Sequence, residues 1–264
     1  VAMASSTRNI VLFGDQMQLT QPIQGTHPGE SGQSILDYLL QGQATIAGDF
    51  GIFLGRSWRL HPRVCRFISG AVYDDRLESM PFTAKRVIVG DRSLHWLHRE
   101  AGILYISVDH EDNVYESQEE GERISELIAD LTQQQLRTKE GTLRDLTHED
   151  ILVVAPYNLQ VHHLERRLGD VRVGTVDKFQ GQQAPVVIFS MTASSGNASA
   201  RGVEFLFSQN RLNVAISRAQ TLAIIVGHPS LERTACSTIE QMRLVNVYCR
   251  AIHTAQAVSF SAAQ

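Results

Sequence analysis

Ile151-Leu152-Val153-Val154-Ala155 is a run of five apolar residues, closed by Pro156-Tyr157-Asn158 and followed by two more short stretches that are mainly apolar, Val171 to Val173 and Val186 to Ser190. A strand that alternates apolar and polar side chains keeps one face wet, whereas a continuous run has both faces covered. Asn9 to Phe13, Ile103 to Ser107 and Leu222 to Val226 have the same character, so six buried strands are predicted. Pro156-Tyr157-Asn158 then opens a helix before the next run. Strand, helix and strand in repetition specify a parallel α/β sheet flanked by helices.

The intervening segments carry helical signals. Ser34 with Asp37 three residues later reads as a capping box ahead of Ile35, Leu36, Leu39 and Leu40. His61 precedes Pro62 at a first helical position, and Val64, Phe67, Ile68, Ala71 and Val72 then share a face. A longer helix is expected over about 119–136, with a stripe of Ile124, Leu127, Ile128, Leu131 and Leu136. Its acidic residues stand at the N-terminal end, Arg137 and Lys139 at the other, and Gly141 reads as a stop. Pro22 to Gly32 reads as a loop, Ala193 to Gly202 has the composition of a mobile one, and Ala251 to Gln264 that of a fraying tail.

Composition narrows the classes. The 264 residues suit one to two domains, and 43% hydrophobic with 20% charged residues excludes disorder and fibrous repeats. Net charge is −4, so any nucleic-acid contact is expected to be local rather than a bulk effect. No run approaches the roughly eighteen apolar residues of a membrane span, and no signal peptide is visible. Cys65, Cys236 and Cys249 form no C-x-x-C pair and read as reduced thiols of a cytoplasmic protein. His95-x-x-His98 and His162-His163 lack the further ligands of a tetrahedral site, so no metal is assigned to them.

Four stretches carry chemistry. Gly14-Asp15-Gln16-Met17-Gln18-Leu19 follows a predicted strand, where an open α/β sheet keeps its ligand groups. A strand ending in a polar turn reads the same way. Arg56-Ser57-Trp58-Arg59-Leu60-His61-Pro62 sets two guanidinium groups, the side chain best suited to phosphate, just before a helix. Thr175-Val176-Asp177-Lys178-Phe179-Gln180-Gly181-Gln182-Gln183 precedes one strand, and Arg211-Leu212-Asn213-Val214-Ala215-Ile216-Ser217-Arg218-Ala219 precedes another. Arg211 and Arg218 fall on one helical face.

The order G-D-x-x-Q-L, R-x-H-P, T-V-D-x-F-Q-G and R-L-N-V-A-x-S-R-A resembles the later motifs of superfamily 1 helicases, with the flavour of the 5′-to-3′ group 1B. The resemblance covers nearly the whole chain. It implies a RecA-like P-loop NTPase fold: the trailing edge of a first RecA-like domain over 1–50, a second such domain over 51–250, and a tail over 251–264. The stretches Gln24 to Pro28 and Phe53 to Leu77 further resemble bacterial proteins in which this helicase follows a RecB-like nuclease. That likeness favours DNA over RNA and adds an N-terminal nuclease domain to the expected partners.

The sequence holds no G-x-x-x-x-G-K-[ST] and no Asp-Glu pair ahead of Gly14. ATP and Mg²⁺ are therefore expected mainly on the preceding domain, and this chain alone is not expected to hydrolyse ATP. By resemblance, Gly14, Asp15 and Gln18 line the nucleotide side, Gln18 senses the γ-phosphate, and Arg59 and Arg218 reach it from the second domain. Gly181 and Gln183 fall near the ribose, where the family usually has Glu in place of Gln183. Pro156, Tyr157 and Asn158 match the family's T-P-Y segment and are expected on single-stranded nucleic acid, with Thr175 and Asn213 as further contacts. Tyr157 also fits a core ring with its hydroxyl at the surface. A second function class stays open: a catalytically silent RecA-like module that binds nucleic acid or a partner, which Gln183 and the acidic balance favour. No G-x-G-x-x-G follows any predicted strand, which argues against a dinucleotide enzyme.

Overall fold

The computed structural model describes residues 8–19, 25, 28–90, 94–197, 199 and 201–256. In chain order its elements are α1 (Ile35–Leu40), β1 (Arg56–Ser57), α2 (Pro62–Val72), β2 (Glu78–Ser79), β3 (Val87–Val89), β4 (Gly102–Ser107) and α3 (Gln118–Leu131). They continue with β5 (Gln135–Arg137), β6 (Leu143–Asp145), β7 (Ile151–Val154), α4 (Asn158–Leu168), β8 (Arg172–Gly174) and β9 (Ala184–Ser190). Last come α5 (Val203–Leu206), α6 (Gln209–Ser217), β10 (Ala219–Gly227) and α7 (Ile239–Gln256).

The central sheet has the order β4-β10-β9-β7-β8, every neighbouring pair parallel. Because successive side chains point to opposite faces, each apolar strand feeds two cores. Leu152, Val154, Val187, Phe189, Ala223 and Ile225 pack with α2, α6 and α7. Ile151, Val153, Val186, Ile188, Leu222 and Ile224 pack with α3 and α4. This two-sided burial is the reason the strands read as unbroken apolar runs. The fold is the α/β, RecA-like architecture expected.

Local signals translate directly. Ser34 Oγ accepts the Asp37 N–H at 3.0 Å and donates to its carboxylate at 2.6 Å. His61 caps α2, its Nδ1 accepting from the Arg63 N–H at 3.2 Å, with Pro62 at the first helical position.

Four expectations are corrected. Residues 9–13 form no strand: Val11 is 75% exposed and Phe13 91% exposed. Among the described residues no strand pairs with them, and an unpaired strand leaves its backbone groups to water. The helix expected over 119–136 ends at Leu131, since Leu136 stands five positions on, out of step with the three- and four-residue spacing of the stripe. Leu136 is instead the buried residue of β5, which pairs antiparallel with β3 and β6. Gly141, at φ +94°, serves the β5–β6 hairpin, where the Thr138 N–H bonds to the Thr142 carbonyl at 2.8 Å. The segment from Ala251 is not a tail as far as Gln256: Ala251, Ile252 and Ala255 are buried in α7. The described part of the loop after β9 is also pinned, Ser194 Oγ accepting the Asn113 N–H at 2.9 Å. The stretch Pro22 to Gly32 lies partly outside the described residues.

Candidate functional site

Strand direction separates the sequence-predicted residues into two edges. Arg59, Gln183 and Arg218 gather where β9 and β10 begin, together with Asp15 and Gln18. Pro156, Tyr157, Asn158 and Thr175 lie where β7 and β8 end. β9, seven residues long, separates the two by roughly 20 Å. The stretch Thr175 to Gln183 runs from one edge to the other, since it leaves the end of β8 and enters the start of β9.

At the first edge Asp15 organises its own turn. Its Oδ1 accepts the Met17 N–H at 3.0 Å and its Oδ2 the Gln18 amide at 2.8 Å. Asp15 Oδ2 also accepts the hydroxyl of Tyr73, at the end of α2, at 2.6 Å. α6 grips the same turn from the other side: Asn210 Nδ2 donates to the Gln18 carbonyl at 2.6 Å and Asn213 Nδ2 to the Met17 carbonyl at 2.8 Å. Asn213 Nδ2 also donates to Tyr73 Oη at 3.0 Å. Asn213, expected on nucleic acid, is thus buried against this turn. Gly14 is exposed, with Leu36 Cδ2 3.3 Å from where a Cβ would stand.

Beside the turn lie the two arginines. Arg218 is 2% exposed, and its guanidinium meets only backbone, at Val214 (3.2 Å) and Gln182 (3.3 Å). Arg59 donates to the Ser217 carbonyl at 3.2 Å, and its buried Nε has no partner. Among the described residues neither arginine forms an ion pair. Burial lowers the Arg218 pKa to about 10, helped by the Arg59 charge and opposed by Tyr73 and Asp15. Burial lowers that of Arg59 too. A buried cation beside a half-buried one, with no carboxylate paired to either, costs free energy that an arriving anion would return. Gly181, at φ +83°, and Gln183 are exposed on the adjoining turn.

At the second edge Tyr157 is 5% exposed, and its hydroxyl meets Ser199 Oγ at 2.7 Å. The ring is buried, and its hydroxyl is held by protein rather than at the surface. Its ring lies between Tyr115 (centroids 5.6 Å, edge-on) and Phe205 (5.6 Å, stacked). Arg201 and Arg211 cover Phe205 at 4.1 and 4.4 Å, and Arg211 pairs with Asp177 at 3.1 Å. Pro156 is buried, Asn158 exposed and Thr175 half-buried.

Sequence reading missed a polar cluster under this edge. Glu120, fully buried, accepts the Thr192 N–H at 2.9 and 3.0 Å, and lies 3.2 Å from His110 Nε2. Ser190 Oγ donates to it at 2.5 Å, and buried Gln160 joins Ser190 to the Ser117 backbone. It missed Tyr73 and Asn210 as well. The spacing of Asn210 and Asn213, three apart on α6, was the available signal; Tyr73 had none.

The model of a family described as an AAA domain matches residues 32–230, and the chain belongs to that family. Within it the chain is a superfamily 1 helicase domain. DNA polymerase alpha-associated DNA helicase A of Schizosaccharomyces pombe is 27% identical over 243 residues, covering 88% of this chain and 35% of its own. Putative helicase mov-10-B.1 of Danio rerio is 27% identical over 262 residues, covering 87% and 25%. An arterivirus helicase solved with DNA matches at a TM-score of 0.30 and 15% identity, over 66% of this chain and 25% of that one. So distant a likeness leaves the fold to rest on the sheet itself. The chain spans about a third or less of the length of these curated relatives. No described helix is long and apolar enough to cross a membrane.

Proposed function

We propose that this chain is the C-terminal motor domain of an ATP-dependent superfamily 1 DNA helicase, and that its arginine edge is one wall of the ATP cleft. The carrying observation is the pair of buried Arg218 and half-buried Arg59, which has no carboxylate partner among the described residues. A γ-phosphate entering the cleft supplies the missing negative charge, and both cations neutralise charge that builds in the transition state. Gln18, held by Asp15, is the neutral group beside that phosphate. Gly181 and Gln183, on the turn whose Gln182 carbonyl touches Arg218, approach the ribose.

Single-stranded DNA is proposed along the opposite edge, over Pro156, Tyr157, Asn158 and Thr175. The covalent route from Thr175 to Gln183 joins this edge to the ATP edge, which is how hydrolysis would drive translocation and strand separation. The phosphate loop and the Mg²⁺ ligands are assigned to the preceding RecA-like domain, and the RecB-like nuclease to a domain further upstream. The described residues do not themselves fit Mg²⁺. No three His, Cys, Asp or Glu converge among the described residues, and both Asp15 oxygens already accept donors.

The test is the ATPase rate of the full-length protein with saturating single-stranded DNA, then with RNA. Arg218→Ala is expected to lower kcat about a thousand-fold or more. An unchanged kcat rules out the cleft assignment, and stronger stimulation by RNA than by DNA reassigns the strand.

A further inference from the structure

The turn that carries Gln18 is tied to α2 and α6 by contacts that the four motifs do not account for, and one atom outside those motifs, Tyr73 Oη, stands at their centre. Tyr73 Oη donates to Asp15 Oδ2 and accepts from Asn213 Nδ2, while Asp15 Oδ2 also receives the Gln18 amide. The chain of contacts is therefore Asn213, Tyr73, Asp15, Gln18. It begins on α6, five residues before Arg218, and ends on the side chain facing the γ-phosphate.

We propose that Tyr73 is a positioning residue that transmits the placement of α6 to Gln18. This rests on the ATP-cleft reading above. A tyrosine hydroxyl has one proton to donate, and in this structure Asp15 takes it. With that proton in place, Asp15 is fixed in orientation and offers the rest of its Oδ2 to the Gln18 amide. The buried Asn213 Oδ1 has no partner, so a second acceptor for the same proton stands next to the hydroxyl. A shift of α6 that turns this oxygen to Tyr73 withdraws the proton from Asp15 and loosens Gln18. Movement of the helix that ends at Arg218 is thereby coupled to the one neutral phosphate-facing group, without any contact between Tyr73 and the nucleotide.

The surroundings suit a relay. Tyr73 is 8% exposed, and its ring packs at 6.1 Å from Phe53, so the hydroxyl has little freedom to turn elsewhere. Burial is the first cause of its raised pKa and the Asp15 charge the second, so the hydroxyl keeps its proton at every working pH.

The experiment is steady-state ATPase of the full-length protein, with and without single-stranded DNA, for Tyr73→Phe, Asn213→Ala and the double variant, with Arg218→Ala alongside. Tyr73→Phe keeps the ring and removes only the hydroxyl. Loss of the relay predicts a fall in DNA-stimulated kcat of about ten-fold or more, with KM for ATP within about two-fold and Tm lower by only the few degrees that one hydrogen bond costs. Because Tyr73 and Asn213 act in series, the double variant should fall less than about two-fold below the worse single one. An unchanged kcat in Tyr73→Phe overturns the relay if Arg218→Ala is inactive, and points to the cleft reading instead if Arg218→Ala is also unchanged. A parallel loss of kcat and Tm overturns it as well, since a packing role gives that result. Full multiplicativity of the two single variants does the same.

Discussion

Arg218 and Glu120 are both charged and both buried, at 2% and 0% exposure, yet their surroundings are opposite. Glu120 stands in the first turn of α3, where the helix dipole favours an anion, and its oxygens accept from Thr192, Ser190 and His110. Arg218 has two backbone carbonyls and a neighbouring cation. A buried charge whose hydrogen bonds are complete holds a structure together, and one without a counter-ion is where an anion would be most stabilised. The two edges of one sheet illustrate both cases.

The difference is tested by removing each charge in turn. Arg218→Ala should abolish most ATP turnover while leaving stability within about 1 kcal/mol, because the lost stem packing is offset by relief of an uncompensated charge. Differential scanning calorimetry beside the ATPase assay separates the two effects. Glu120→Leu should do the reverse. It leaves the Thr192 N–H and the Ser190 hydroxyl without their acceptor, at a cost of about 3–5 kcal/mol and a Tm lower by on the order of 10 °C. If Glu120→Leu keeps its Tm and loses turnover, Glu120 belongs with the sites and the contrast fails.

The contrast also sets what was legible beforehand. Arg59 and Arg218 were readable because their motifs fix them locally, each beside the start of an element. Glu120 was read only as a favourable charge at a helix start, which it is, since its acceptors' partners lie some seventy residues away in β9 and beyond. Tyr73 meets Asp15 across 58 residues and Asn213 across 140, distances over which no spacing rule operates. The sheet was legible because continuous apolar runs have few other uses. Residues 9–13 show the limit of that rule: a strand needs a neighbour as well as a composition, and none of the described residues provides one. Leu136 shows a second limit, since an apolar residue one position out of phase belonged to the next element.

His61 gives a smaller effect of the same kind. Burial first, and the Arg63 charge second, lower its pKa to about 4 from 6.5, and its neutral Nδ1 accepts the Arg63 N–H that caps α2. The unfolded chain therefore takes up the proton first as pH falls. The stability is complete above about pH 6.5 and declines through the window down to about 4, by roughly 2–3 kcal/mol in all. His61→Asn keeps a capping acceptor without titrating, so its urea midpoint should lose that pH dependence. A midpoint falling equally in both proteins between pH 6.5 and 4 would assign the loss to other groups.

The smallest effect is the most discriminating, because it asks which way the cleft's neutral residue faces. Gln183 is exposed, on the turn whose preceding carbonyl accepts from Arg218. If its side chain meets the ribose, Gln183→Glu replaces a neutral acceptor by a charged one, and KM for ATP should fall about three- to ten-fold with kcat nearly unchanged. If it faces the arginines, the new carboxylate supplies the anion that Arg59 and Arg218 lack. KM then rises, kcat falls, and Tm increases because the buried cations have found a permanent partner. The signs of KM and Tm together decide between the two orientations. The second outcome would also turn an unsatisfied charge into a satisfied one, and the cleft would come to resemble the Glu120 edge.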